Sequence, residues 1–291
     1  MDRSGNVYFI NVGANANTAS DGIRSPIFDD GKFEFMPIPE SQERPQSKPF
    51  DLTNKSVKTH PQLLRYRDIP CFNDSGKQLS YYLPRAIRDK VVHNDPEFET
   101  TTYGGADFKE RVAPGYVKGG MSKSSKLLTA KKDDNLFFIA NLTHYEGETF
   151  NKDRGGFFFI GYLKIEFFID LDLIFSGEIE GKFFPLVSHN AHVRQFLASG
   201  DIKANHMRVF VGSKEKSQRF GYAVPITRKL CDHFLKDASG KPWKWDTSKT
   251  EMQTIGSYTR TNRCFLTPDV PHYNAFWEHL SKFHSTPGSR L

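Results

Sequence analysis

His93, Asp95 and Glu97 place an imidazole and two carboxylates at alternate positions of one short segment. Histidine changes protonation near neutral pH, and a carboxyl group does so when partial burial raises its pKa, so these are the residue types that general acid–base catalysis uses. They are the candidate catalytic residues. Around them, Asp95-Pro96 and Gly104-Gly105 read as turns. A plainer role stands beside the catalytic one, because an Asp before Pro also caps a turn and a single His also serves only to bond backbone.

Other segments carry groups suited to holding a nucleotide. Asn190 and His192 can bond the edge of a base or a sugar, and Arg194 is placed for a phosphate. Arg24 offers a second phosphate ligand and Glu40 an acceptor for a ring nitrogen or hydroxyl, unless the two pair with each other or face solvent. Between Ala113 and Lys132, glycines and serines alternate with lysines. Such a stretch can clamp phosphates through backbone amides and ammonium groups, or be a solvated loop, and it lacks the GxxxxGK[ST] of a P-loop. His189 and His192, spaced HxxH, would sit on one helix turn as some metal sites require. A site needs a third ligand at compatible geometry; the His93–Glu97 segment holds one possible ligand but no second clear ligand pair exists, so metal is the minority reading, none is assigned and no cofactor is named.

These loops need a scaffold. Two runs dense in Phe and Ile, Leu136 to Leu142 and Phe157 to Ile169, predict adjacent strands joined by the polar segment His144 to Gly156. Lys164 and Glu166 interrupt the second run, which predicts one wet face there and excludes a membrane span. Val7 to Val12 reads as a first strand, and Asp29-Asp30-Gly31 as the turn of a hairpin leading to an extended exit at Pro37 and Pro39. His60 to Arg67 reads as a short helix. Met207 to Gly212 reads as a strand followed by a junction into a helix, with Ser213 as anion ligand or N-cap. Helices are expected at Arg228 to Lys236 and from Tyr273 to His284, where Phe276, Trp277, Leu280 and Phe283 recur at helical spacing. The fold class expected is α+β, a single globular unit around a mixed, mainly antiparallel sheet or partial barrel, with helices concentrated toward the C-terminus. The division expected is a domain over 1–226 and a helical extension over 227–291 packed on the same core.

Composition bounds the rest. The chain has 291 residues, 14% aromatic and 25% charged, enough apolar mass for a proper core. Its formal charge of +6 permits a phosphate polymer as partner without requiring one. Three scattered cysteines, Cys71, Cys231 and Cys264, form no disulfide framework or thiolate zinc motif. The opening MDRSGNVYFINVGANA lacks the apolar stretch of a signal peptide, so the expected location is the cytoplasm, without a membrane partner.

Several segments, in order, resemble one family, the nucleotide modification-associated domain 3 family: Val12-Gly13-Ala14, the GIRSPIF run at 22–28, Pro37-Ile38-Pro39-Glu40, the HNDPEF run at 93–98 with Thr102-Tyr103-Gly104, the strand at Phe158 to Lys164, Asn190-Ala191-His192, and Val211-Gly212 with Ser217 and Ala223 to Ile226. The family pattern prefers an acid after TYG and a GD pair before the Phe-rich strand, where this chain has Gly105 and Asp133-Asp134. That leaves His93, Asp95 and Glu97 as the acid–base set. The resemblance adds Ser25, Tyr103 and Ser217 to the nucleotide-binding candidates and implies association with systems that make, recognise or process modified nucleotides in DNA. DNA or a nucleotide is the partner it implies, with other proteins of a base-modification or restriction system beside it. A weaker likeness links the central strands to PUA-like base-reading domains. Three readings follow: an enzyme acting on a modified base or nucleotide, a non-catalytic reader of a flipped base, and a structural subunit of a larger complex.

Overall fold

The computed structural model describes residues 3–14, 21–40, 64–107, 125–171, 183–194, 207–235, 242 and 265–283. The excursion at 41–58, most of the Gly/Ser/Lys loop, Trp243, Trp245 and the tail lie outside them. The two apolar runs become β6 (Asn135–Glu146) and β7 (Thr149–Asp170). Both strands extend well into the polar connection expected between them, which shrinks to the turn Gly147-Glu148. Both of these residues have positive φ, 52° and 67°, the backbone of a type I′ hairpin turn. The polar residues before and after it stay on the ladder because their backbone pairs, Glu146 with Thr149 and His144 with Asn151, with Thr149 exposed and the other three half-buried.

Around this hairpin the sheet is mixed, as expected. β1 (Val7–Val12) and β2 (Ser25–Ile27) run parallel to β6, whereas β10 (Phe265–Leu266) lies antiparallel on the outer edge of β1. On the other side, β8 (Met207–Gly212) and β9 (Gln218–Pro225) follow each other along β7, both antiparallel to it. The junction at Ser213 therefore leads into a strand and not a helix, since Gln218 to Pro225 finds a free edge of β7. β5 (Thr102–Asp107) pairs with β8 and ends the order β10-β1-β6-β7-β8-β5, which does not close into a barrel among the described residues. β3 (Ile38–Pro39) and β4 (Val92–His93) form a separate two-stranded ladder. Among the described residues the α-helices fall late in the chain: α1 (Phe184–Val187), α2 (Arg228–His233) and α3 (Tyr273–Phe283), with a further helical turn over 191–194. None of the described helices is long and apolar enough to cross a membrane.

Aromatic packing fastens α3 to the sheet. Phe137 stacks on Tyr162 with centroids 5.0 Å apart and meets the edges of Trp277 and Phe276 at 5.2 and 5.6 Å. Lys164 lies in this buried region instead of facing solvent, because Nζ donates to the carbonyl and hydroxyl of Ser4 at 2.6 and 2.7 Å. A second cluster gathers Met36, Tyr66, Cys71, Leu79 and Tyr82. It is tied to β9 through buried Glu34, which accepts the N–H groups of Phe72, Asn73 and Asp74 and pairs with Arg219 at 3.4 Å.

Two measurements check this packing. Phe137→Ala should cost about 3–5 kcal/mol in denaturant unfolding, the usual loss for a fully buried ring. Burial, reinforced by the charges of Glu34 and Asp74, pushes the Cys71 thiol up to about 12. The thiolate is the reactive form, so peptide-mapped alkylation at pH 8 should leave Cys71 untouched in the native protein and label it after unfolding.

Candidate functional site

The β3–β4 ladder sets Ile38 opposite His93. Side chains two positions apart along an extended chain share a face, so Glu40 reaches the same side as His93, and its Oε1 lies 2.9 Å from Nδ1. A carboxylate only accepts, so Nδ1 carries the hydrogen and the ring is fixed with Nε2 directed away from Glu40. That Nε2 lies 3.1 Å from Nε2 of His192, with the two rings nearly perpendicular.

His192 is presented by a helical turn over 191–194. Asn190 acts as its N-cap, Oδ1 accepting the N–H of His192 at 3.0 Å. The other end of the same amide donates to Oδ1 of Asp95 at 2.9 Å, and Oδ1 also accepts the N–H of Gly104 at 3.0 Å. With Oδ1 doubly engaged, Oδ2 is left 3.3 Å from Nε2 of His192. Gly104 is required by the approach: a Cβ there would fall 2.4 Å from the His192 ring and 3.0 Å from Oδ1 of Asn190. Gly104 lies in β5, next to an irregularity in its pairing with β8, and not in the turn expected of Gly104-Gly105.

Glu97 extends the cluster. Its backbone bridges Thr102, Thr100 donates to Oε2 at 2.7 Å, and Oε1 lies 3.9 Å from Nη1 of Arg194. Both side chains are buried, and Nη2 of Arg194 has no hydrogen-bond partner among the described residues. Thr101 anchors the segment to the end of β8, donating to the carbonyl of Gly212 while accepting its N–H on the backbone.

The electrostatics separate the two imidazoles. Burial works against protonation of His93, but the bond to Glu40 and the charges of Asp95 and Glu40 outweigh it, and its pKa rises. Burial and then the neighbouring His93 lower that of His192, with Asp95 opposing. A proton shared by the pair therefore sits on His93. Burial also raises the Glu97 carboxyl, against the Thr100 bond and the Arg194 charge. The arrangement can hand a proton between the two imidazoles, whose Nε2 atoms lie in hydrogen-bond reach.

Seven of the residues singled out in the sequence thus come together: Glu40, His93, Asp95, Glu97, Asn190, His192 and Arg194. The remaining ones sit elsewhere in the bonding. Ser25 is buried with Oγ accepting from the N–H of Met36, and Ser217 accepts from the N–H of Lys164, both fastening strands. Tyr103 packs on Phe138 in the main core, and burial holds its phenol protonated. Arg24 is half-buried beside β2 and makes no hydrogen bond or ion pair to the cluster. Glu40 pairs with His93 and not with Arg24. The HxxH pair does not assemble, since His189 is exposed, yet Nε2 of His192 gains His93 and Asp95 as neighbours from the other loop. Those three residues offer ligand atoms that all lie within 4.8 Å of one another, as do the more exposed Asp29, His144 and Glu146. Thr100, Thr102 and Gly104 also serve the site without having been singled out for it, and the TTYGG run was the only signal available.

The family model described as nucleotide modification associated domain 3 matches residues 6–262. No curated protein and no solved structure matches the chain.

Two substitutions check how the site is held. Asn190→Ala removes a bond to a buried carboxylate and the cap of His192, and should cost about 1–3 kcal/mol in chemical denaturation. Gly104→Ala should displace the His192 ring, read as a change in the imidazole nitrogen resonances of His192 and His93 with the other histidines unmoved. Unmoved His192 and His93 signals would contradict the close approach.

Proposed function

The chain belongs to the nucleotide modification associated domain 3 family, and from that we propose that it is an enzyme acting on a modified base or nucleotide of DNA at the cluster around His93 and His192. Its family ties it to nucleotide modification; the step proposed is proton transfer during chemistry on the base or nucleotide. The observation that carries the reading is the meeting of His93, Asp95 and His192, drawn from two loops far apart in sequence, with Glu40 and Asn190 orienting them. Groups that served only as turns and caps would have no reason to bring two imidazole nitrogens face to face. In this reading His93 and Glu97 exchange protons with the substrate, Asp95 and Asn190 position His192, and Arg194 supplies positive charge to an anionic group. A formal charge of +6 favours approach of a phosphate polymer. A reader that stacks a flipped base is less favoured, because two aromatic rings of this segment, Phe98 and Tyr103, pack edgewise or tilted against Phe138.

The test is to incubate the protein with oligonucleotides and nucleotides carrying natural and modified bases and follow both binding and the mass of the base. The unmutated protein should convert at least one substrate, and His93→Ala and Glu97→Gln should each slow conversion by about 10²–10⁴-fold while binding persists. Binding without any conversion would leave a reader in place of an enzyme, and absence of both would remove the reading.

A further inference from the structure

We propose that His93, Asp95 and His192 form a binding site for one divalent first-row transition ion, held through Nε2 of each histidine and Oδ2 of Asp95. The inference deepens the reading above and rests on it only for the identity of the pocket; with an ion on its Nε2, His93 is a ligand and the proton exchange assigned above falls to Glu97.

The spacing is the first argument. Metal–ligand bonds of about 2.0–2.1 Å put two ligands of a tetrahedral centre about 3.3 Å apart and two adjacent ligands of an octahedral one about 2.9 Å apart. The two Nε2 atoms are 3.1 Å apart, and Oδ2 of Asp95 is 3.3 Å from Nε2 of His192. The orientation is the second. Glu40 takes the hydrogen of His93 Nδ1, which leaves the lone pair of the neutral ring on Nε2, the carboxylate–histidine arrangement that commonly backs a metal ligand. Asp95 is likewise prepared: Asn190 and Gly104 occupy Oδ1, so Oδ2 alone faces the histidines.

Charge is the third. With neutral imidazoles, the carboxylates of Glu40 and Asp95 meet one guanidinium among the described residues, that of Arg194, which also lies beside Glu97, in a region largely withdrawn from water. Buried charge needs a counter-charge, and a divalent ion provides it. Two imidazoles and one carboxylate suit Zn²⁺, Fe²⁺, Co²⁺ or Mn²⁺ better than Ca²⁺ or Mg²⁺, which prefer oxygen. Three protein ligands also leave coordination positions for water or substrate, as in catalytic centres and unlike closed structural ones. The competing arrangement is a metal-free hydrogen bond between the two Nε2 atoms, and it makes the opposite prediction.

The experiment is titration of chelator-treated protein with Zn²⁺ by calorimetry and with Co²⁺ by visible absorption, without nucleotide. One ion per chain should bind, with cobalt bands of a nitrogen-containing site. Glu40→Gln should weaken affinity about 10–100-fold, and His93→Ala and His192→Ala should weaken it further. Should those variants fail to fold, peptide-mapped acylation of the unmutated protein by diethyl pyrocarbonate decides: Zn²⁺ should shield His93 and His192 and leave exposed His189 reactive. Absence of binding, binding unchanged in folded His93→Ala, or Zn²⁺ shielding neither histidine overturns the site. Metal bound without any nucleotide conversion would sink the enzyme reading alone, whereas conversion by a protein that binds no ion would sink the metal site alone.

Discussion

A carboxylate removed from water must be met by hydrogen-bond donors, and Asp95 meets that demand with groups from different parts of the chain. Its Oδ1 takes the N–H of Gly104 and the side-chain amide of Asn190, the latter ninety-five positions away. Through Asn190 the same demand fixes the cap of the turn that carries His192, and through Gly104 it fixes the strand against which His192 lies. Without Asp95 the two loops lose the acceptor that Gly104 and Asn190 share and keep the weaker contacts of Glu97 with Arg194 and of Asn190 with Thr102. The pairing of imidazoles is thus a consequence of where one buried carboxylate finds its donors.

The sheet makes this possible by geometry. β7 is 22 residues long and pairs with β6 along its first part and with β8 beyond it, so one strand belongs to both ends of the core. β5 joins through β8, which brings the stretch beginning at Thr102 alongside, while Thr101 is bonded to Gly212 at the end of β8. Glu40 arrives by another route, the β3–β4 ladder. The central hairpin is therefore a scaffold that meets the site segment through Phe138, against which Phe98 and Tyr103 pack, and the polar cluster is assembled where its edge strands and their loops end.

Much of that scaffold was legible in the sequence. Val7 to Val12 and Met207 to Gly212 are strands within the residues expected, because a run of apolar and β-branched residues has few other ways to bury itself. The α+β class followed from the same patterns. The long hairpin was not legible past its core, because polar residues that pair only through their backbone look like a loop. The alternation predicts a wet face at Lys164 and Glu166, and Glu166 is exposed, but a pattern says which face a residue takes and not that Ser4 covers Lys164. In the site, residue types pointed to His93, Asp95, Glu97, Asn190, His192 and Arg194, yet nothing linear could say that Glu40 faces His93 or that His192 meets Asp95. Those contacts depend on a two-residue ladder and on one amide bridging distant loops. Ser25 and Ser217 show the reverse limit: a motif serine looks the same whether it binds a ligand or a neighbouring strand.

The bridge between Asp95 and Asn190 is the contact on which the whole assembly turns, and a double-mutant cycle measures it. Asp95→Ala, Asn190→Ala and the double variant would be compared by denaturant unfolding. The account predicts a coupling energy of about 1–3 kcal/mol, as for residues in one hydrogen-bond network. Additive effects, with coupling below about 0.3 kcal/mol, would contradict it.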